Sequence, residues 1–264
     1  MVDKMSELKI SYRVKEQKIV GILHVPDKKT GSGIILAHGI TVNKDEDGAF
    51  INLARELSKN GYTVLRFDFR GHGESDLKSK DFTITTGLED LAASVNFMRD
   101  SGISKMGLLG ASFSGGTSSV FAGKNPNAVN CLTLWNPLID YNEVFNPRLP
   151  WAVKNFTLEN FKLLQTQGYF ELGEKRFIVG KKLFEEMKKV QPWQYFEKID
   201  CPTLIAHGNK DSYVSYQNAL RYSSLLKALN KFETIENAEH GFHKPWEQRR
   251  AIELTVNWFN RWLK

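Results

Sequence analysis

The chain has 264 residues, 36 Lys and Arg against 30 Asp and Glu for a formal charge of +6, and is 41% hydrophobic and 25% charged, with a mean hydropathy of −0.37. This composition describes one large folded domain, or one domain carrying an insert, and excludes disordered and collagen-like chains. The basic residues are scattered singly and in pairs, without the dense tract that marks a nucleic-acid binder, and no run approaches the ~18 apolar residues of a membrane span.

The first residues, Met1 to Glu7, lack an apolar signal core, so a cytoplasmic protein is expected. Two runs with alternating polarity, 8–14 and 18–25, flank residues 15–17 and predict an antiparallel hairpin. The rhythm then changes to short, mostly apolar runs at 33–37, 63–67, 106–109, 131–135, 203–206 and 231–235, as strands buried on both faces require. Cys131 and Cys201 each precede such a run and are expected as reduced thiols outside any metal pattern. Helical periodicity lies between most of the runs: 49–59, stopped by Asn60 and Gly61; 87–99; 215–228; and 246–263, with Ile252, Val256, Phe259 and Trp262 on one stripe. Alternating strands and helices predict a parallel α/β sheet, and the last helix is expected to pack on it.

The alternation breaks between 141 and 198, where twelve aromatic residues gather and no strand–helix pair is evident. The expected organisation is therefore a core of residues 1–140 and 199–264 interrupted by an inserted cap at 141–198. Helical pieces at 159–167 and 180–189 carry apolar stripes that need the top of the sheet as a partner.

The most informative stretch runs Gly110, Ala111, Ser112, Phe113, Ser114, Gly115 and Gly116, after a buried strand and before a helix expected from about Thr117. A G-x-S-x-G turn in that context is a nucleophile elbow, which exposes a serine Oγ on a tight strand-to-helix corner. Ser114 stands where the pattern has its final glycine, which leaves Ser114 as a second candidate behind Ser112; a Gly/Ser-rich turn alone is more often only a turn. A serine nucleophile requires a histidine base and an acid to orient it. Asp211 and His240 follow the last two strands, in the order Ser, Asp, His; Asp140 and His243 rank second. The developing oxyanion needs donors, and the backbone N–H groups of Ile40 and Phe113 are so placed. His38 and Gly39 then shape the turn, and His72 is expected as a structural loop residue. The aromatic cap offers Trp151, Phe156, Phe161, Tyr169 and Phe170 as walls of an acyl or aryl pocket, against the plainer reading that they hold the cap to the sheet.

Taken in order, His38-Gly39, the segment from Arg70 to Ser75, Gly110 with Ser112, His207-Gly208 with Asp211, and His240-Gly241 resemble an α/β-hydrolase over nearly the whole chain. The segment from His38 to Glu46 is similar to the loop of bacterial and archaeal carboxylesterases that include the cinnamoyl and feruloyl esterases. The resemblance implies an α/β-hydrolase fold with an N-terminal antiparallel hairpin and a cap after the sixth strand. It also implies Ser112, Asp211 and His240 as nucleophile, acid and base, with Ile40 and Phe113 as oxyanion donors. The family usually has glycine where this chain has Ser114.

The expected activity is a serine carboxylesterase working through an acyl-enzyme on a small-molecule ester, with no metal or cofactor, no nucleic-acid partner and no membrane span, as a monomer or homodimer. A thioesterase, acyltransferase or monoacylglycerol-lipase-like enzyme would use the same residues. A phosphate-loop reading fails because Gly116 stands where a lysine is required, and a dinucleotide pattern from Gly71 fails at its third glycine. A catalytically dead binding relative is opposed by the presence of all three triad residues.

Overall fold

The computed structural model describes residues 6–264, so Met1 to Met5 and that part of the signal-sequence expectation lie outside the described residues. In chain order the first half comprises β1 (Ser6–Val14), β2 (Gln17–Val25), β3 (Ser32–Ala37), α1 (Ala49–Lys59), β4 (Thr63–Phe67), α2 (Ile84–Asp100), β5 (Lys105–Ala111), α3 (Phe113–Lys124) and β6 (Cys131–Trp135). Then come α4 (Asn142–Phe145), α5 (Pro150–Asn155), α6 (Leu158–Thr166), β7 (Tyr169–Leu172), β8 (Phe177–Gly180), α7 (Lys181–Met187) and a 3-10 turn at Pro192–Lys198. The chain closes with β9 (Thr203–Gly208), α8 (Tyr216–Ser223), β10 (Asn230–Ile235) and α9 (Pro245–Leu263).

Eight strands form one sheet in the order β1-β2-β4-β3-β5-β6-β9-β10. The pairs β1–β2 and β2–β4 are antiparallel, and from β4 to β10 every pair is parallel. Successive side chains of a strand point to opposite faces, which is why the central runs are apolar throughout. Ile34 and Leu36 of β3 join Phe50, Leu53 and Leu57 of α1 and Phe259 of α9 on one face. Ile35 and Ala37 join Leu91, Val95 and Met98 of α2 and Phe121 of α3 on the other. Each fully buried Phe or Leu of this kind contributes about 1.5–3 kcal/mol.

Helix α2 starts where Thr83 accepts a hydrogen bond from the Thr86 N–H and Thr86 Oγ1 returns one from the Thr83 N–H. Helix α1 ends at Asn60, with Gly61 at φ +91°. Two helix expectations are corrected. Helix α8 stops at Ser223, not at 228, because the Ser223 and Ser224 hydroxyls donate to the Leu220 and Arg221 carbonyls and compete for the ladder. Helix α3 begins at Phe113, four residues before the expected start, because Ser112 makes the whole turn by itself.

Residues 142–198 lie over the C-terminal ends of the parallel strands. They also hold a strand pair the sequence did not announce: β7 and β8 are antiparallel around Gly173–Arg176, too short to show a period. Strand β8 sits so close to the turn at Ser79–Asp81 that a Cβ on Gly180 would lie 1.8 Å from the Lys80 carbonyl oxygen. No helix among the described residues is long and apolar enough to cross a membrane.

Candidate active site

The site begins where β5 ends. Ser112 takes φ 53° and ψ −121°, a strained backbone for a residue with a side chain. Its peptide is pinned on both sides: Ser112 N–H donates to the Trp135 carbonyl at 2.8 Å, and its own carbonyl accepts from Leu138 at 2.9 Å and Gly115 at 3.0 Å. Only a residue without a side chain fits the crossing of strand and helix behind it, since a Cβ on Gly110 would come within 2.4 Å of Ser118 Oγ and 2.6 Å of the Ser114 carbonyl. Ser114 is buried at 1% exposure. Its Oγ accepts from the Ala111 N–H at 3.1 Å and points at the Ala37 and Ala111 carbonyls. The hydroxyl that replaces the family glycine thus ties β5 to β3 and is turned away from the cavity.

His240 lies in the turn after β10, with Gly241 at φ 79° letting the chain double back. Its Nε2 stands 3.0 Å from Ser112 Oγ and its Nδ1 2.7 Å from Asp211 Oδ2. Asp211 is buried in the loop after β9, and its other oxygen accepts from the N–H groups of Tyr213 at 2.8 Å and Val214 at 2.9 Å. His207 Nε2 is a further 3.2 Å neighbour of Asp211 Oδ2. Burial alone would raise the Asp211 pKa, but the positive charge of His240 and the hydrogen bonds to the carboxylate outweigh it and hold the group well below its ordinary value. For His240 burial opposes the charged form, and Asp211, with help from Glu46 and Glu239, turns the balance and raises its pKa above 6.5. Asp140 and His243 are not in this row: the Asp140 carboxylate is occupied by Asn142 and Tyr222, and His243 is exposed at the cavity edge with its ring over Gly241.

The loop after β3 is built on two buried histidines. His38 Nδ1 donates to the Gly39 carbonyl at 2.7 Å while its Nε2 accepts from the Phe69 N–H, a pairing that sets the tautomer. His72 Nε2 lies 2.8 Å from the Ile40 carbonyl. Burial pushes His38 down to about 4 and, with His38 beside it, His72 to about 3, so both are neutral scaffolding at physiological pH. In a trans peptide the C=O and N–H point opposite ways, so holding the Gly39 carbonyl on His38 turns the Ile40 N–H to the other side. Phe113 opens α3, and its N–H has no intrahelical acceptor. Glu46 was not foreseen: its Oε2 accepts from the Gly39 N–H at 2.7 Å, and it borders the cavity beside Ser112 and His240. Burial raises its pKa to about 7 against the lowering effects of the Gly39 N–H and His240. Nothing in the sequence marks Glu46 apart from its place in the loop whose resemblance was noted.

Between this row and residues 142–198 lies a cavity of about 280 Å³. Ser112, His240, Ile40 and Phe113 border it, and the aliphatic and aromatic wall comes from Leu138, Val144, Leu172, Val179, Leu183, Phe184 and Met187. Of the five aromatics expected to line it, Trp151 and Phe156 do. Phe161, Tyr169 and Phe170 do not, and that expectation is corrected. Phe170 is buried beneath the wall against Phe184, at 5.4 Å. Phe161 fills the space between Phe145 and Phe184. Tyr169 faces Lys80. Glu143 is an unforeseen polar residue in the wall; its carboxyl, held by Ser215 and Asn218, is raised by burial to about 7. Among the described residues no group of three or more His, Cys, Asp or Glu could hold a metal ion.

A family model described as alpha/beta hydrolase fold matches residues 34–172, just over half of the chain, and one described as PhoPQ-activated pathogenicity-related protein matches 145–264. The chain is 25% identical over 227 residues to human serine hydrolase BPHL, covering 82% of this chain and 76% of that protein. Over a shorter stretch of 92 residues, 34% of this chain and 28% of the other, it is 36% identical to an acyl transferase of Aliivibrio fischeri. Its fold is similar to that of Est1E from Butyrivibrio proteoclasticus with ferulic acid bound, with a TM-score of 0.80 and 20% identity over 95% of this chain and 99% of Est1E.

Proposed function

The chain belongs to the alpha/beta hydrolase fold family, and from that membership we propose that it is a serine carboxylesterase acting on small esters with a short-to-medium acyl, aryl or hydroxycinnamoyl group. The observation that carries the reading is the unbroken row from Ser112 Oγ through His240 to Asp211, with steps of 3.0 and 2.7 Å, opening on a cavity. His240 Nε2 takes the Ser112 proton as Oγ attacks the ester carbonyl, and Asp211 holds the ring and favours the imidazolium that forms. The Ile40 and Phe113 N–H groups receive the oxyanion, each donor of this type being worth about 10²- to 10³-fold in rate. The imidazolium then gives its proton to the departing alcohol as the C–O bond breaks. Water, deprotonated by His240 Nε2, then attacks the acyl carbonyl, and the imidazolium returns that proton to Ser112 Oγ as its bond to the acyl group breaks and the acid leaves.

The apolar wall suits acyl and aryl groups, and the ferulic acid held by Est1E supports an aromatic acid as one of them. The acyl transferase similarity favours a second acceptor than water as the alternative. Asp47, Glu174, Glu46 and Glu143 border the cavity against Lys175, a balance that opposes polyanionic acyl carriers and favours neutral esters. The test is fluorophosphonate labelling followed by peptide mapping, beside a p-nitrophenyl butyrate assay. An adduct on Ser112 with matching loss of turnover is the expected result. An adduct elsewhere, or activity surviving full labelling, sinks the proposal.

A further inference from the structure

Tyr213 is the third unforeseen residue of the site. Its ring lies face to face with the His240 imidazole, centroids 4.7 Å apart and planes within 6°. Its opposite face carries Trp151, again at 4.7 Å and within 12°. Three nearly parallel rings thus run from α5 to the base. The backbone repeats the connection, since the Trp151 N–H donates to the Ser212 carbonyl at 3.2 Å. The foot of the column is fixed as well, because Tyr213 N–H is one of the two donors on Asp211 Oδ1.

Tyr213 lines the cavity and is 39% exposed, with the faces of its ring covered and the remainder open. Its hydroxyl has no hydrogen-bond partner among the described residues, so the ring faces are what the chain uses. The groups that act on His240 through charge are Asp211 from the loop after β9, Glu46 from the loop after β3 and Glu239 from its own turn. Asp211 fixes one nitrogen of the imidazole but leaves rotation about that hydrogen bond open. A flat ring on one face closes that freedom. An aromatic face also attracts a cation more than a neutral ring.

We propose that Tyr213, backed by Trp151, is a positioning residue that holds the plane of His240 with Nε2 on Ser112 Oγ and favours the imidazolium formed during attack. The proposal rests on the reading of Ser112, His240 and Asp211 as the catalytic row. Because Trp151 belongs to the cap, the column also makes the order of the base depend on the seating of the cap.

The test compares Y213L, Y213F and S112A on p-nitrophenyl butyrate across pH. In Y213L the flat face is lost while the position stays apolar. Its kcat falls about tenfold with KM within threefold, and the acid limb of kcat/KM moves down by about half a pH unit, the size of an exposed cation–π contact. Y213F, which keeps the ring, recovers most of the lost kcat and the original limb. A Y213L protein that changes KM alone with an unmoved limb makes Tyr213 a pocket wall and overturns the proposal. Failure of Y213F to recover kcat also overturns it, by giving the role to the hydroxyl. Activity in S112A sinks the underlying reading instead, so the two failures are distinguishable. Should Y213L not fold, the parent provides the check. The His240 Cε1 proton, assigned by its absence in H240Q, lies upfield of its free-imidazole position under the Tyr213 ring current; an unshifted proton overturns the stack.

Discussion

The strand-end loops and residues 142–198, the proposed cap, meet at one cavity but are built by different means. Ser112, Asp211 and His240 follow strands whose neighbours are fixed residue by residue, Ala111 opposite Trp135 and Ile235 opposite Gly208. Behind them, several buried polar groups are paired: Lys44 with Asp68, Arg70 with Asp90, and Ser114 with the carbonyls of Ala37 and Ala111. The segment at 142–198 has elements of four to nine residues and coheres through mostly edge-on ring contacts around Phe184. It meets the core at separate seats: Gly180 on Lys80, Phe177 stacked on His72 at 4.5 Å, Glu186 on the Thr85 N–H, Lys175 paired with Asp47, Trp151 on Ser212 and Tyr213, Glu143 on Ser215 and Asn218, and the turn at Pro192–Lys198 against α3, where Tyr195 lies on Gly123. On the proposed function, the groups that must be held to fractions of an ångström for bond-making lie where a sheet ladder can hold them, and the surface that would select a substrate lies where small repacking changes its shape.

The hardest test of this division removes chemistry from the core and leaves everything else. Ser112→Ala lowers kcat on p-nitrophenyl butyrate by at least about a thousandfold. The melting temperature moves by no more than about 4 °C, the size of one lost hydrogen bond near 1 kcal/mol in a domain of this length. A thermal shift assay beside the kinetics reads both. A large loss of stability would mean that Ser112 braces the elbow and that activity fell through unfolding.

The converse variant attacks the cap seat. Gly180 has φ −100° and ψ 160°, which any residue adopts, so only space forbids a side chain there. With a Cβ 1.8 Å from a backbone oxygen, Gly180→Ala forces β8 away from the Ser79–Asp81 turn and costs several kcal/mol, in the range of severe overpacking. Limited proteolysis then cuts within 142–198 before the core, and discrimination between acetyl and longer acyl esters flattens, while acetyl turnover stays within about tenfold. A loss on all chain lengths well beyond the tenfold assigned to the Tyr213–Trp151 column would mean that residues 142–198 are part of the catalytic frame.

What the sequence discloses follows the same division. The core strands declare themselves because burial on both faces leaves no charged position in Ile34–Ala37 or Leu132–Trp135, and the elbow because strand, small residues and helix must follow one another there. The cap does not: β7 and β8 have four residues each, and aromatic content does not say which ring faces the cavity. Phe170 and Phe156 look alike in sequence, yet one lies beneath the wall and the other in it. The wall falls instead to Leu183, Phe184 and Met187, one stripe of α7. Glu46 and Tyr213 escaped for a different reason. Glu46 meets Gly39 within its own loop and Tyr213 meets His240 and Trp151 across the fold, and a lone acid or tyrosine in a polar loop carries no pattern.

The smallest expected effect sits on the seam between the two regions. Glu46 holds the Gly39 N–H of the core, and its neighbour Asp47 is paired with Lys175 of the cap turn. Burial raises its carboxyl to about 7 in the folded protein, above an ordinary value near 4.5 in the unfolded chain. Between those two values the native state keeps a proton that the unfolded state releases, so stability falls as pH rises through the window, and the whole deficit is present by pH 8. Glu46→Gln keeps an oxygen for the Gly39 N–H and cannot ionise. Its melting temperature therefore exceeds the parent's at pH 8 and matches it near pH 4. The same substitution removes a negative charge that favours the His240 imidazolium, so the acid limb of kcat/KM shifts to lower pH, by less than a unit because Glu46 is itself partly protonated there. A melting gain equal at both pH values would assign the effect to packing, and a limb moving upward would show that Glu46 acts on His240 through the oxyanion loop and not through its charge.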